Sequence, residues 1–376
     1  MQMQQLFENF RNFARTLQEG GGKAPSLTGG TALTPELVQG ALEEYQRFIS
    51  QWNNWLESKF TEPEPMGSDE YLAQEREINL PPLNYAGPVG SVAYTQQDIE
   101  QDKDVIYGDI DVLVEIPMPS WVQIEDATQE RLVKLALQRN YKRQLIDYIE
   151  ETQPVNIHAD ATLSRNEFSE NLKEPFMVIL QLPNGAYVQA DSIITYSDIS
   201  SWTKARYTPM RGFKGYIHGN FYDVLSDMLN VSLSRSGVVA KFRGGEIVPP
   251  RMRKDVQVKT ISSNPRTFFV DILQVFAGSE ARSNPLLDAN PGLDPETHET
   301  ELLRTLASGA KGLLIALEDN DVLDNAEEKV RTLYSNYKAK NDQEAERRET
   351  KDPTANGKFT EMGDTATQMV ADILLR

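Results

Sequence analysis

GDIDVLVEIP, residues 108–117, constrains the fold more than any other stretch of the chain. Ile110, Val112, Val114 and Ile116 alternate with Asp109, Asp111, Leu113 and Glu115, the period of a half-buried strand. Side chains at i and i+2 share a strand face, roughly 6.5–7 Å apart, so Asp109 and Asp111 stand side by side. Two ionised carboxylates repel by about 4 kcal/mol at about 4 Å under an effective dielectric of about 20. A basic side chain, a proton on one carboxylate, or a divalent cation between them would offset that cost.

A third acid emerges from FMVILQLPNGAYVQADSIIT, residues 176–195. Asn184-Gly185 between two strand-like runs predicts a hairpin. In its second run Tyr187, Gln189, Asp191 and Ile193 share one face, and Ala186, Val188, Ala190 and Ile194 the other. If this strand lies beside 109–116, Asp109, Asp111 and Asp191 converge. Such a set can hold two divalent ions about 3.5–4 Å apart, the spacing of in-line phosphoryl chemistry. Asp160 and Asp198 are close enough in sequence to compete with Asp191. Upstream, PVGSVAY supplies Gly90 and Ser91 before a helical turn, where backbone N–H groups and a hydroxyl can meet phosphate. The plain alternatives are a pair of strand-end acids facing solvent or an arginine, and an ordinary Gly-Ser turn.

Composition narrows the chemistry. The chain has no cysteine, and His158, His218 and His298 are scattered, so each is expected to be structural. A metal site must then use oxygen ligands, which favours Mg2+ or Mn2+. The apolar runs are too short for a membrane span, and the start lacks a secretory pattern, so the chain is expected in the cytoplasm. The net charge of −18 disfavours a general nucleic-acid coat. Residues 201–260 nevertheless hold eleven Lys/Arg against four acids, a local basic zone suited to phosphate or simply to solvent.

The pattern predicts four segments. Residues 1–80 read as a helical arm: an amphipathic start at 3–17, a Gly-rich linker, and a helix from Thr34-Pro35 to about 60 with an aromatic stripe. Residues 81–200 alternate strands with a helix at 127–151. Residues 201–346 read as mainly helical, with helices at 221–229, 265–278, 299–320 and 322–346, and residues 347–376 as a polar linker and short helix. The expected fold class is α+β.

Gly-Ser, then GDIDV on a strand, a helix, and a lone aspartate on a neighbouring strand resembles the DNA polymerase beta-like nucleotidyltransferase superfamily over residues 85–200. The resemblance implies a mixed sheet with flanking helices and a helical domain after it. It implies that Asp109 and Asp111 ligate both metals, and that Asp191 binds the catalytic metal and orients or deprotonates the attacking hydroxyl. Gly90 and Ser91 would hold the triphosphate of an NTP such as ATP, and Tyr196, Ser197 and Lys214 would contact the nucleotide. Two features depart from the family: Ser91 and Asp109 are eighteen positions apart, a long spacer expected to bulge as a loop, and SVAYT carries no basic residue. Phosphate neutralisation then falls to Lys204, Arg206, Arg211 and Lys214, which interleave with Trp202, Tyr207, Phe213 and Tyr216.

The function so implied is transfer of a nucleoside monophosphate from an NTP to a hydroxyl, with pyrophosphate released. The acceptor is a polynucleotide 3′ end, which suits the basic zone, or a second nucleotide, which suits the overall acidity. The rival is a scaffold or interaction protein that keeps the fold without catalysis. The long spacer and the missing basic residue favour that rival, and the three aspartates disfavour it.

Overall fold

Thr34 caps the first helix, its hydroxyl accepting from the Leu37 N–H at 3.4 Å, with Pro35 in the first turn. The computed structural model describes residues 33–60, 65–73, 80–101, 107–124, 127–158, 176–207, 215–234, 237–252, 254–294, 300–351 and 355–376. The expected helix at 3–17, the Gly-rich linker, Asp160, Arg211, Phe213, Lys214 and His298 lie outside them. The chain is a mixed α/β protein that divides into two compact units, Met1–Ser197 and Asp198–Arg376. Among the described residues no helix is long and apolar enough to cross a membrane.

The first unit runs α1 (Pro35–Lys59), β1 (Met66–Gly67), α2 (Ser68–Ala73), β2 (Asn84–Val89), a 3-10 turn (Gly90–Tyr94) and α3 (Thr95–Glu100). It continues with β3 (Ile110–Ile116), β4 (Val122–Gln123), α4 (Ala127–Thr152), β5 (Phe176–Gln181) and β6 (Tyr187–Tyr196). The main sheet has the order β2-β3-β6-β5, parallel between β3 and β6 and antiparallel elsewhere. A parallel pair needs a crossover, and α4 lies in that connection. The β5–β6 turn closes as Asn184-Gly185 requires, with Gly185 at φ +83 and the Asn184 side chain accepting from the Ala186 N–H at 3.0 Å.

One face of this sheet is covered by helices. Tyr45 of α1 donates to Ser192 Oγ at 2.6 Å, and Tyr196 of β6 bonds the Lys134 carbonyl of α4. Trp52 and Tyr141 join the two helices, their rings 5.7 Å apart. Asn53 clamps α1 to the approach to β2 through reciprocal 2.9 Å bonds with the Leu83 backbone. The segment expected as an arm is therefore part of this unit's core, because the aromatic stripe Tyr45, Phe48, Trp52 needs an apolar wall and finds one here.

The second unit contains α5 (Ser200–Tyr207), α6 (Tyr216–Leu229), β7 (Val231–Ser234), β8 (Gly237–Arg243), β9 (Glu246–Val248), β10 (Gln257–Ser262), α7 (Phe268–Ala277) and α8 (Pro285–Ala289). It ends with α9 (Thr300–Asp319), α10 (Ala326–Lys351) and α11 (Lys358–Leu374). Its helices enclose a core that includes Phe221, Phe268, Phe269, Leu306, Leu313 and Tyr337. Two expectations are corrected here. Residues 231–262 form an antiparallel sheet, β10-β8-β7 with β9 beside β8, where the sequence reading gives mainly helix. These strands are short and mix Ser, Lys and Arg with valine, so their period-two signal is faint beside the helices around them. The linker expected from 347 is also largely helical. Polar Arg348 extends α10 because it bonds Glu344 at 2.8 Å and lies 4.4 Å from the Tyr216 ring centre.

Candidate functional site

The parallel register aligns Ile110 with Ala190 and Asp111 with Asp191. Registered residues on adjacent strands point to the same face, about 4.8 Å apart in the backbone. That face is opposite the one bearing Ser192 and Tyr196, and so opposite the α1 and α4 contacts. Hydrophobic alternation fixes this outcome: Ile110, Val112, Val114 and Ile116 are all buried, so a slip by one residue would drive the aspartates into the core.

Burial, and then the charge of Asp191, push the Asp111 carboxyl up to about 6. Asp191 is also raised by burial, and the Gln189 amide opposes that rise by donating to its Oδ1 at 3.1 Å. The pair is thus electrostatically unsatisfied, with oxygen donors suited to a hard cation.

Val89 ends β2 in register with Asp111, which brings the next two residues to the same spot. Gly90 adopts φ +65, and a Cβ placed on it would lie 2.4 Å from Asp111 Oδ2. Glycine is needed there twice over, for the left-handed backbone and for the space the carboxylate fills. Ser91 follows, exposed, in the 3-10 turn. Part of the long spacer folds onward as α3 instead of bulging from the start, while residues 102–106 lie outside the described set.

The other expected site residues fare differently. Asp109 is half-buried one position before β3, and the ladder with β6 begins only at Ile110. Among the described residues no group of three or more His, Cys, Asp or Glu is gathered closely enough to hold a metal. Asp111 and Asp191 meet in register, while Asp109 stands one position outside the ladder. Extending the register back two residues sets Gln189, not an acid, opposite Asp109.

Tyr196 is corrected. It is 4% exposed, its hydroxyl is committed to the Lys134 carbonyl, and its ring lies 5.1 Å from Lys134 Nζ, so it is a core residue and not a nucleotide contact. The reason is the strand period, which turns residue 196 to the face opposite Asp191. Ser197 is exposed at the start of a short turn, and Lys214 lies outside the described residues. Among the histidines, His218 is buried against Tyr222 and His158 meets Tyr187 edge-on.

Compared with protein-family models and with curated proteins, the chain matches none. Gln189 is the residue that sequence reasoning undervalued. The strand period puts it on the Asp191 face, where an amide at i−2 of a buried carboxylate can reach it along the strand.

Proposed function

We propose that the first unit is a nucleotidyltransferase-type domain that moves a nucleoside monophosphate from an NTP to a hydroxyl acceptor. The acceptor oxygen attacks the α-phosphorus, the bond to the β-phosphate oxygen breaks, and pyrophosphate leaves. A single observation carries the reading: Asp111 and Asp191 in register on parallel strands, with Gly90-Ser91 closing on Asp111.

The residues fit a hard divalent ion, since the pair offers carboxylate oxygens and the Asp111 carboxyl is raised by burial and then by its neighbour's charge. Asp111 and Asp191 would hold Mg2+ or Mn2+, which when bound supplies charge neutralisation at the phosphates. Gly90 keeps the approach to Asp111 open, and Ser91 offers a hydroxyl and a backbone N–H to phosphate oxygens. Asp191, oriented by Gln189, is the group placed to take the acceptor's proton. The acceptor is a polynucleotide 3′ end or a second nucleotide.

A second reading is a non-catalytic scaffold, favoured by the eighteen positions between Ser91 and Asp109 and by a SVAYT segment without a basic residue. Incubation with labelled NTPs and Mg2+, with and without oligonucleotide, separates the two. Pyrophosphate release that is lost in Asp111→Ala and Asp191→Ala supports the transferase. No turnover and no metal-dependent nucleotide binding with any of the common NTPs would leave the scaffold.

A further inference from the structure

The sheet of the second unit ends in a rim of cations. Residues 237–262 hold six Lys/Arg (241, 243, 251, 253, 254 and 259) and two acids, Glu246 and Asp255, within a chain of net charge −18. The structure sorts these cations by what they do. Lys241 Nζ donates to the carbonyls of Pro250 at 2.5 Å and Met252 at 2.8 Å, tying the loop after β9 back onto β8. The Arg253 side chain lies outside the described residues.

Arg243, Arg251, Lys254 and Lys259 are exposed, and none forms an ion pair among the described residues. Glu246 sits in register with Arg243 across the β8–β9 hairpin without pairing to it. Lys259 Nζ lies 5.1 Å from the Phe242 ring centre, which fixes its charge against the sheet. Some exposed cations elsewhere sit in local pairs, as Arg331 does with Glu327 at 2.8 Å and Lys338 with Asp342 at 2.6 Å, whereas Arg304, Lys329 and Lys358 are single unpaired cations among the described residues.

A chain this acidic repels polyanions over most of its surface, so a rim of unneutralised cations is where one can dock. Membrane docking would call for an amphipathic helix with apolar anchors, whereas these cations lie on β8, on β10 and on the loop between β9 and β10, where the exposed large apolar residue is Val258, at 37%. We propose that Arg243, Arg251, Lys254 and Lys259 form a docking surface for the phosphate backbone of a nucleic-acid strand. Phe242 is half-buried under Lys259, so the rim recognises backbone charge and not base identity. This surface needs only its own cations and does not depend on the transferase reading.

Fluorescence anisotropy of the full chain with labelled DNA and RNA oligonucleotides of about 16 nucleotides tests it. The wild type should bind at about 50 mM salt and release as salt rises. The fourfold charge reversal Arg243→Glu, Arg251→Glu, Lys254→Glu, Lys259→Glu should weaken binding by tenfold or more and flatten the salt dependence by about 3 in log–log slope. Arg331→Glu/Lys338→Glu should bind as wild type does. The neutral pair Arg243→Gln/Lys259→Gln, checked by its melting curve, should give a partial loss and guards against misfolding of the reversal. Comparison of DNA with RNA distinguishes the source of the strand. No wild-type binding, equal binding by the fourfold variant, or binding to anionic phosphatidylserine vesicles but not to oligonucleotides would each overturn the proposal.

Discussion

Gly90 and Asp111 occupy one another's space: a methyl group on residue 90 would lie 2.4 Å from Asp111 Oδ2, on a backbone held at φ +65. Gly90→Ala therefore incurs a left-handed backbone cost of about 1 kcal/mol and must also displace the carboxylate. The expected outcome is a loss of about 1–3 kcal/mol of stability together with at least about tenfold weaker Mg2+-dependent NTP turnover. Thermal unfolding and pyrophosphate release measure the two arms. Unchanged turnover in the variant would remove Gly90 from the site.

The Asp111 carboxyl is held at about 6 in the folded chain, against an ordinary value of 3.8. The native state thus binds this proton more tightly than the unfolded one. The associated stability is fully present below about pH 4, and it is lost as pH rises through about 6. Above that, ionised Asp111 costs up to about 3 kcal/mol. Asp111→Asn should be nearly neutral at about pH 4 and stabilising at about pH 8, measured by urea unfolding without divalent ions. A pH-independent difference between variant and wild type would count against the buried-pair account.

The contrast between Asp111 and Asp109 shows how far the sequence reached. Alternation in 108–117 sets the face of each side chain, and the Asn184-Gly185 turn sets the hairpin, so the meeting of Asp111 with Asp191 is legible in the sequence. Where the ladder begins was not legible, because that depends on the partner strand, and Asp109 falls one residue short of it. For Tyr196 the strand period, which turns it inward onto the Lys134 carbonyl, runs against the role that the family resemblance implies. The sheet at 231–262 left a hairpin signal in Gly244-Gly245, between KFR and EIV, but its strands are too short and polar to stand out by periodicity. The full length of α10 was hidden because charge pairs such as Arg348 with Glu344, and not apolar residues, sustain its last turns.

Tyr45 is fully buried and donates to Ser192 Oγ at 2.6 Å, on the strand that also carries Asp191 on its other face. Tyr45→Phe removes the donor without removing the ring, and so leaves a buried hydroxyl unserved. A cost of about 1–3 kcal/mol is expected in chemical denaturation. Tyr45→Leu, which also loses the ring contacts with Phe48 and Tyr85, should cost more.

In the second unit Asn341 joins three helices. Its Oδ1 accepts from Asn220 at 2.8 Å, and its Nδ2 donates to Thr367 Oγ1 at 3.3 Å, with no exposure to solvent. Asn341→Leu would strand both partners in the core. Destabilisation of about 2–4 kcal/mol is expected, and Asn341→Asp should not restore it, since an ionised acid there would be a buried charge beside only neutral partners. Thermal unfolding of the variants decides the matter.

Tyr196 and Ser197 are consecutive, yet the strand period gives them opposite fates. Tyr196 points into the α4 side of the sheet, with its hydroxyl on the Lys134 carbonyl, while Ser197 is exposed. Tyr196→Phe leaves one buried carbonyl without its donor and should cost about 1–2 kcal/mol of stability. It should leave the KM for NTP unchanged, because a side chain sealed beneath the sheet touches no substrate. Steady-state kinetics beside a melting curve separates these effects. If Tyr196→Phe raised KM while the melting curve stayed put, the hydroxyl would have to reach the ligand, and the register that turns Asp191 and Tyr196 to opposite faces would be wrong. That same register is what brings Asp111 to Asp191, so this conservative change in the core also checks the geometry on which the proposed chemistry stands.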